Sequence, residues 1–161
     1  MQLQRQAIET YSHPTIKGLE ELDNQGILWV ILERSTREKM GLLDSRFSLY
    51  ELYIKDCLSK NQLPKIDRYD DRLFVNLQFP AIQKERNTPS LSQLSLLLDA
   101  VSCLLSVKII WSLTEIFQNC KFDSNGYKQN IMGNSPDYLL HTIFDIFVED
   151  LLHQKMKVFE I

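Results

Sequence analysis

An unbroken apolar run, ILWVIL, occupies residues 27–32 of the chain. A strand with one face in water alternates apolar and polar residues, whereas a continuous run rich in β-branched residues is typical of a strand covered on both faces. Such a strand needs a layer of packed structure on each side of its sheet. The run therefore predicts a sheet with helices on both faces.

Helical and strand patterns follow one another along the rest of the chain. Helices are predicted at residues 14–25, 48–59 and 112–120, and a capping box at Ser35 and Glu38 predicts another that starts at Thr36. Strands are predicted at 27–32, 65–69, 73–79, 91–98 and 103–110, with a turn at Asp70-Asp71 and loops at 80–90 and 121–134. The expected fold class is α/β, a three-layer α/β/α sandwich with a mixed central sheet.

The last predicted element is the longest helix. Ser135 is a suitable N-cap, Pro136 suits the first helical position and Asp137 favours the positive helix end. An apolar stripe at helical spacing then continues to Val158. We expect an α/β/α domain at residues 1–134 and the start of a long stalk helix at residues 135–161.

Composition excludes several classes of protein. The chain has 161 residues, of which 44% are hydrophobic and 24% charged, as in a soluble globular domain. A net charge of −3 gives no basic surface, so no nucleic-acid partner is expected. Cys57, Cys103 and Cys120 include no C-x-x-C pair and indicate buried thiols in a reducing compartment. The most apolar region, residues 91–113, is interrupted by charges, so the chain itself is expected to be soluble.

Catalytic motifs are missing from the sequence. It contains no Gly-x-Ser-x-Gly, Gly-rich phosphate loop or His-Glu-x-x-His. Asp67, Asp70 and Asp71 in LPKIDRYDDRLFVNLQF could supply an acid and a base, but a structural turn is favoured because nothing apolar around them would shift a pKa. His13 and His153 lack partners at ligand spacing and are interpreted as surface residues. We do not expect an enzyme.

Three segments, in this order, are similar to one family of membrane proteins. The segment FSLYELYIKDCLSKNQLPKIDRYDDRLFVNL at 47–77 resembles the CorA family of magnesium transport proteins, in which a helix ending in Glu-Asp-Ile-Leu runs into His-Gln-Arg-Pro-Lys-(Val/Ile)-Glu. QLSLLL at 93–98 resembles the next strand of that family, and SPDYLLHTIFD at 135–145 the start of its first long helix. Lys55 departs from the pattern, because the family usually has Glu there.

The resemblance implies the cytoplasmic regulatory domain of a Mg²⁺ or Co²⁺ transporter or channel, which senses intracellular cation to gate transport. It further implies a homopentamer at the cytoplasmic face of the inner membrane, attached through helices outside this chain. The fragment alone would be a monomer or dimer. Two alternatives stay open: a zinc transporter of the same superfamily, and a free-standing soluble α/β binding or enzymatic domain.

The resemblance also implies a regulatory cation site between neighbouring subunits. Asp56 and Asp145 match its acidic positions, and carboxylate oxygens are the ligands that Mg²⁺ prefers. His141 and Glu149 share a helix face with Asp145 at i, i+4 and i+8 spacing, and Zn²⁺ would use His141. For all four residues an ordinary solvated helix face is the alternative.

Overall fold

The computed structural model describes residues 18–59, 63–82, 89–107, 111–122 and 126–159. The predictions for His13 and for residues 14–17, 83–88 and 108–110 fall outside these ranges. The described strands are β1 (Leu19–Asn24), β2 (Ile27–Glu33), β3 (Lys65–Tyr69), β4 (Arg72–Ile82), β5 (Pro89–Leu98) and β6 (Ser102–Val107). The described helices are α1 (Arg37–Phe47), α2 (Glu51–Leu58), α3 (Trp111–Lys121), α4 (Tyr127–Met132) and α5 (Pro136–Phe159).

The strands form one mixed sheet in the order β1-β2-β6-β5-β4-β3. Strands β2 and β6 are parallel, and the other neighbours are antiparallel. The ILWVIL run lies in β2, where the residues from Trp29 to Leu32 are all buried. The prediction that this strand is covered on both faces is confirmed.

Helices cover the sheet on both faces, and each face has its own apolar core. On one face, α3, α4 and α5 pack over a cluster in which the Trp29 and Phe117 rings meet edge to face at 4.9 Å. On the other face, α1 and α2 pack over a cluster in which Tyr53 and Phe74 meet in the same way, also at 4.9 Å. The predicted three-layer α/β/α sandwich with a mixed sheet is therefore confirmed.

The predicted helix at 14–25 is wrong where the structure describes it, because residues 19–24 form strand β1. Gln25 and Gly26 both have positive φ, 55° and 89°, which makes the two-residue turn that folds β1 back onto β2. Leu19 and Leu22 suggested one face of a helix. In a strand, residues three apart point to opposite faces, and these two leucines pack in the two different cores.

Other parts of the chain also differ from prediction. Helix α1 begins at Arg37, one residue late, because Thr36 is the N-cap and its Oγ1 accepts a hydrogen bond of 3.3 Å from the Lys39 N–H. The loop predicted at 80–90 is too long, since β4 continues to Ile82 and β5 begins at Pro89. Helix α4 lies inside the loop predicted at 121–134, because its six residues are too few to show a helical period.

Helix α5 begins as predicted. The Ser135 Oγ accepts a hydrogen bond of 3.2 Å from the Tyr138 N–H. Its inward residues Leu139, Ile143 and Phe147 belong to the core under α3, so the first turns of α5 are part of the packed sandwich. The division into a domain at 1–134 and a stalk at 135–161 stays a prediction. Within the described ranges, no helix combines the length and apolar composition needed to cross a bilayer.

Candidate functional site

Helix α2 places Asp56 against the sheet. It begins at Glu51, three residues later than predicted, and its inward residues are Tyr53, Asp56 and Cys57 at i, i+3 and i+4. The fully buried Tyr53 sets the inward face of α2, and its neighbour Leu52 is 55% exposed. The solvated helix face that was the alternative for Asp56 is wrong, since Asp56 is only 5% exposed.

Asp56 is paired with a cation from the same chain. Lys65, at the start of β3, places its Nζ 2.5 Å from Asp56 Oδ2 and 3.2 Å from Asp67 Oδ2. The same Nζ lies 5.6 Å from the centre of the Phe74 ring. The close contact with the Asp56 carboxylate is the main reason why the pKa of Lys65 is raised. The charge of Asp56 is therefore already compensated inside the subunit.

A row of polar residues crosses the sheet beneath this ion pair. Lys65, Asn76 and Ser95 are opposite one another on β3, β4 and β5, so their side chains share one face. The Ser95 hydroxyl donates to Asn76 Oδ1 at 3.2 Å, and both residues are buried. Gln93 donates to Ser95 Oγ at 3.1 Å and to the main-chain carbonyl of Asp56 at 3.3 Å. This row was not predicted from the sequence, although its signal was a polar residue, Asn76, on the same face of the strand as Phe74.

The cysteines are buried, as predicted for Cys57, Cys103 and Cys120. Burial raises the pKa of both the Cys57 and the Cys103 thiols to about 12. Both thiols therefore stay protonated at neutral pH and are poor nucleophiles or metal ligands. Cys57, although next to Asp56, is not a ligand candidate.

The other three candidate residues lie on the outer face of α5. The His141 Nδ1 is 3.2 Å from Asp145 Oδ2, and the two side chains are 78% and 67% exposed. Glu149 is exposed one turn further along. The predicted common face of these three residues is confirmed, and that face is turned to solvent.

The structure does not bring Asp56 and Asp145 together within one chain. Helix α2 packs in the core on one face of the sheet and α5 in the core on the other. A cation site that used both residues would need one from each of two chains. Among the described residues, no group of three or more His, Cys, Asp or Glu is placed to hold a metal ion.

The two acidic positions fit a divalent cation differently. Asp145 and Glu149 present exposed carboxylates, and Mg²⁺ binds weakly through one or two carboxylates while keeping much of its water. Asp56 is buried with its Oδ2 against Lys65, so it cannot accept an ion unless the ammonium moves. The metal assignments stay predictions, with α5 the better fit to a cation as the chain stands.

The contacts of the Asp70-Asp71 turn favour a structural role over a catalytic one. Asp70 has φ of 50° and its carboxylate accepts a hydrogen bond of 2.9 Å from the Tyr50 hydroxyl. An open cavity of about 450 Å³ beside the turn is lined by both acids and arginines, among them Asp71 and Arg68. Arg72 at its rim donates to the main-chain carbonyls of Phe47 and Ser48. This cavity carries no single sign of charge.

The described residues thus form a three-layer α/β/α domain whose long last helix has an exposed acidic face. The chain belongs to the family described as CorA-like Mg²⁺ transporter protein, whose family model matches residues 24–159. The family resemblance found in the sequence is confirmed. A search of curated proteins found no match.

Solved structures share this fold at low sequence identity. The full-length CmaX protein has a TM-score of 0.62 at 13% identity, over 85% of this chain and 40% of that one. The ZntB cytoplasmic domain from Vibrio parahaemolyticus RIMD 2210633 has a TM-score of 0.62 at 17% identity, over 85% of this chain and 53% of that one. The soluble domain of CorA from Methanocaldococcus jannaschii has a TM-score of 0.60 at 10% identity, over 92% and 58%. The chain thus spans about half the length of these structures.

Proposed function

We propose that the chain is the cytoplasmic regulatory domain of a divalent-cation transporter or channel, and that it senses intracellular Mg²⁺ to gate transport. The observation that carries the proposal is the family match over residues 24–159, which includes both α2 and α5. Co²⁺ is the second cation proposed. The family consists of transporters or channels, so we propose no catalytic activity.

The assembly proposed is a homopentamer at the cytoplasmic face of the inner membrane, attached through membrane helices that are not among these 161 residues. Asp145 and Glu149 would face a neighbouring subunit, whose Asp56 would supply a second acidic position. A divalent ion at such a contact supplies positive charge that offsets the repulsion between carboxylates. Cation binding at this contact would favour one arrangement of subunits over another.

Cation binding at Asp145 can be tested on the 161-residue chain by following backbone amide signals in NMR during a Mg²⁺ titration. Signals around Asp145 should shift at millimolar Mg²⁺, a concentration that corresponds to about 4 kcal/mol of binding free energy. Asp145→Asn should abolish the shifts. Asp137→Asn is the matched control, because it removes the same charge from an exposed acid of the same helix. Equal shifts in all three proteins would contradict the role of Asp145.

Transport needs the product of the complete gene. We expect two apolar spans and the family's Gly-Met-Asn signature to be encoded beyond Ile161, and we expect Mg²⁺ influx into cells that carry the gene. Raising intracellular Mg²⁺ should slow that influx in the wild type but not in Asp145→Asn. A gene product that moves no divalent cation would favour the free-standing α/β domain instead.

A zinc transporter of the same superfamily is the second candidate. It is favoured by the His141–Asp145 contact of 3.2 Å, because a carboxylate that holds one imidazole nitrogen orients the other toward a metal ion. Imidazole suits Zn²⁺ but not Mg²⁺. If zinc is the cation, His141→Ala should weaken Zn²⁺ binding and leave Mg²⁺ binding unchanged. His153→Ala is the control, as an exposed histidine on the same helix.

A further inference from the structure

We propose that Lys65 is a tethered cation that occupies Asp56 and masks this carboxylate from divalent cations. A divalent ion would then bind Asp56 only after Lys65 has left it. The inference deepens the proposed function and rests on it for its physiological meaning. Its physical content, a competition between one side chain and an ion for one carboxylate, can be measured separately.

The geometry makes the lysine the movable partner. The Asp56 side chain is 7% exposed and sits on a helix that is packed against the sheet, whereas the Lys65 side chain is 31% exposed. Lys65 is also on β3, which is an edge strand of the sheet. Its ammonium can therefore swing into solvent without any change in the backbone.

The polar groups around Asp56 should stay in place when the Lys65 ammonium moves away. The Gln93 side-chain amide donates a hydrogen bond of 3.3 Å to the main-chain carbonyl of Asp56, and Lys65 takes no part in this bond. Beneath it, Asn76 is fully buried and its Nδ2 has no hydrogen-bond partner in the part of the chain that the structure describes. Removing Lys65 would thus leave a buried carboxylate without its cation, beside polar groups and next to solvent. Such a carboxylate is costly unless another cation reaches it.

Two lysines near Asp56 allow contact to be separated from general charge. Lys65 touches Asp56 at 2.5 Å. Lys55 precedes Asp56 in α2 but is exposed. Lys65→Met and Lys55→Met lower the net charge equally, so both raise the attraction of divalent ions over a distance. Only Lys65→Met removes the ammonium group that contacts the Asp56 carboxylate.

The test is a titration of the 161-residue chain with Mn²⁺, a paramagnetic ion that binds carboxylates as Mg²⁺ does. Broadening of amide signals near Asp56 reports binding there. In Lys65→Met, this broadening should occur at a Mn²⁺ concentration about tenfold lower than in the wild type, which corresponds to about 1.4 kcal/mol. Lys55→Met should behave like the wild type, and Lys65→Met with Asp56→Asn should lose the broadening. Lys65→Arg keeps a cation and should keep the mask.

Thermal unfolding gives a second readout for variants that fold less stably. Mn²⁺ should raise the Tm of Lys65→Met and of Lys65→Gln more than it raises that of Lys55→Met. An equal response of the Lys65 and Lys55 variants, or no broadening near Asp56 in any of them, would overturn the proposal. Broadening near Asp145 in the wild type is read from the same spectra. Its absence would count against the proposed sensing contact alone and leave the masking of Asp56 standing.

Discussion

Asp56 and Asp145 carry the same side chain but lie in opposite surroundings. Asp56 is buried between α2 and the sheet, with Lys65 at 2.5 Å. Asp145 is on the outer face of α5, two-thirds exposed, with His141 beside it at 3.2 Å. One is a charge that the fold has taken out of water and paired, and the other is a charge that stays in water.

This difference separates stability from binding. A buried pair contributes to the folded state mainly in the sense that losing one partner is costly. An exposed pair contributes almost nothing to stability, but its oxygens remain accessible to an ion. We therefore expect substitutions at buried positions such as Asp56 to change the free energy of unfolding, and substitutions at exposed positions such as Asp145 to change the affinity for cations.

The largest expected difference between a buried and an exposed position lies within α5 itself. Ile143 is fully buried and Leu152 is 55% exposed on the same helix. Ile143→Ala should lower the free energy of unfolding by about 3 kcal/mol, because it removes buried methylene groups and leaves a cavity. Leu152→Ala, the control, should change it by less than about 0.5 kcal/mol. Urea denaturation measures both, and a large loss in Leu152→Ala would show that this face is covered in solution.

The two aspartates should differ in the same way. Asp56→Ala should cost about 2 kcal/mol, less than a fully buried pair because Lys65 reaches solvent. Asp145→Ala should cost less than about 0.5 kcal/mol. Equal losses in urea denaturation would contradict the contrast. In Asp56→Ala with Lys65→Met the buried carboxylate and its lysine are both removed, and the other partner of Lys65, Asp67, is partly exposed. The double variant should therefore lose less than the sum of the two single variants.

Alkaline pH should destabilise the folded protein through its buried thiols. The Cys57 and Cys103 thiols have pKa values raised from 9.0 to about 12 in the folded protein. Between these values the unfolded chain has lost the proton and the folded chain keeps it, so stability falls as pH rises from about 9. Each thiol contributes a slope of up to about 1.4 kcal/mol per pH unit. The raised pKa of Lys65 acts in the same direction. Cys103→Ala should flatten the slope, and an unchanged slope would exclude its thiol as a cause.

The layered fold was predictable because its signals are local. ILWVIL indicated a covered strand, and Ser135 with Pro136 indicated the start of α5; the structure agrees with both. Residues 19–24 were mistaken for a helix because the spacing of three between Leu19 and Leu22 fits one face of a helix as well as a strand that is covered on both faces. The turn at Gln25 and Gly26, where both residues have positive φ, is what pairs this segment with β2 as a strand. Local pattern cannot exclude an alternative that depends on a turn.

The surroundings of Asp56 were not predictable in the same way. Its burial depends on which face of the short helix α2 packs inward, and its pairing depends on β3 returning beside that helix. Both are tertiary facts, although Lys65 lies only nine positions away in the sequence. By contrast, the common face of His141 and Asp145 follows from helical spacing alone, so the sequence predicted it correctly.

The smallest expected effect is that of the His141–Asp145 contact on stability. Pairs at i, i+4 on an exposed helix face are worth less than about 0.5 kcal/mol, so His141→Ala should leave the midpoint of urea unfolding almost unchanged. His153→Ala provides a matched control on the same helix. A loss well above this limit in His141→Ala alone would mean that the outer face of α5 is desolvated by a partner subunit. The contrast between Asp56 and Asp145 would then hold only for the isolated chain.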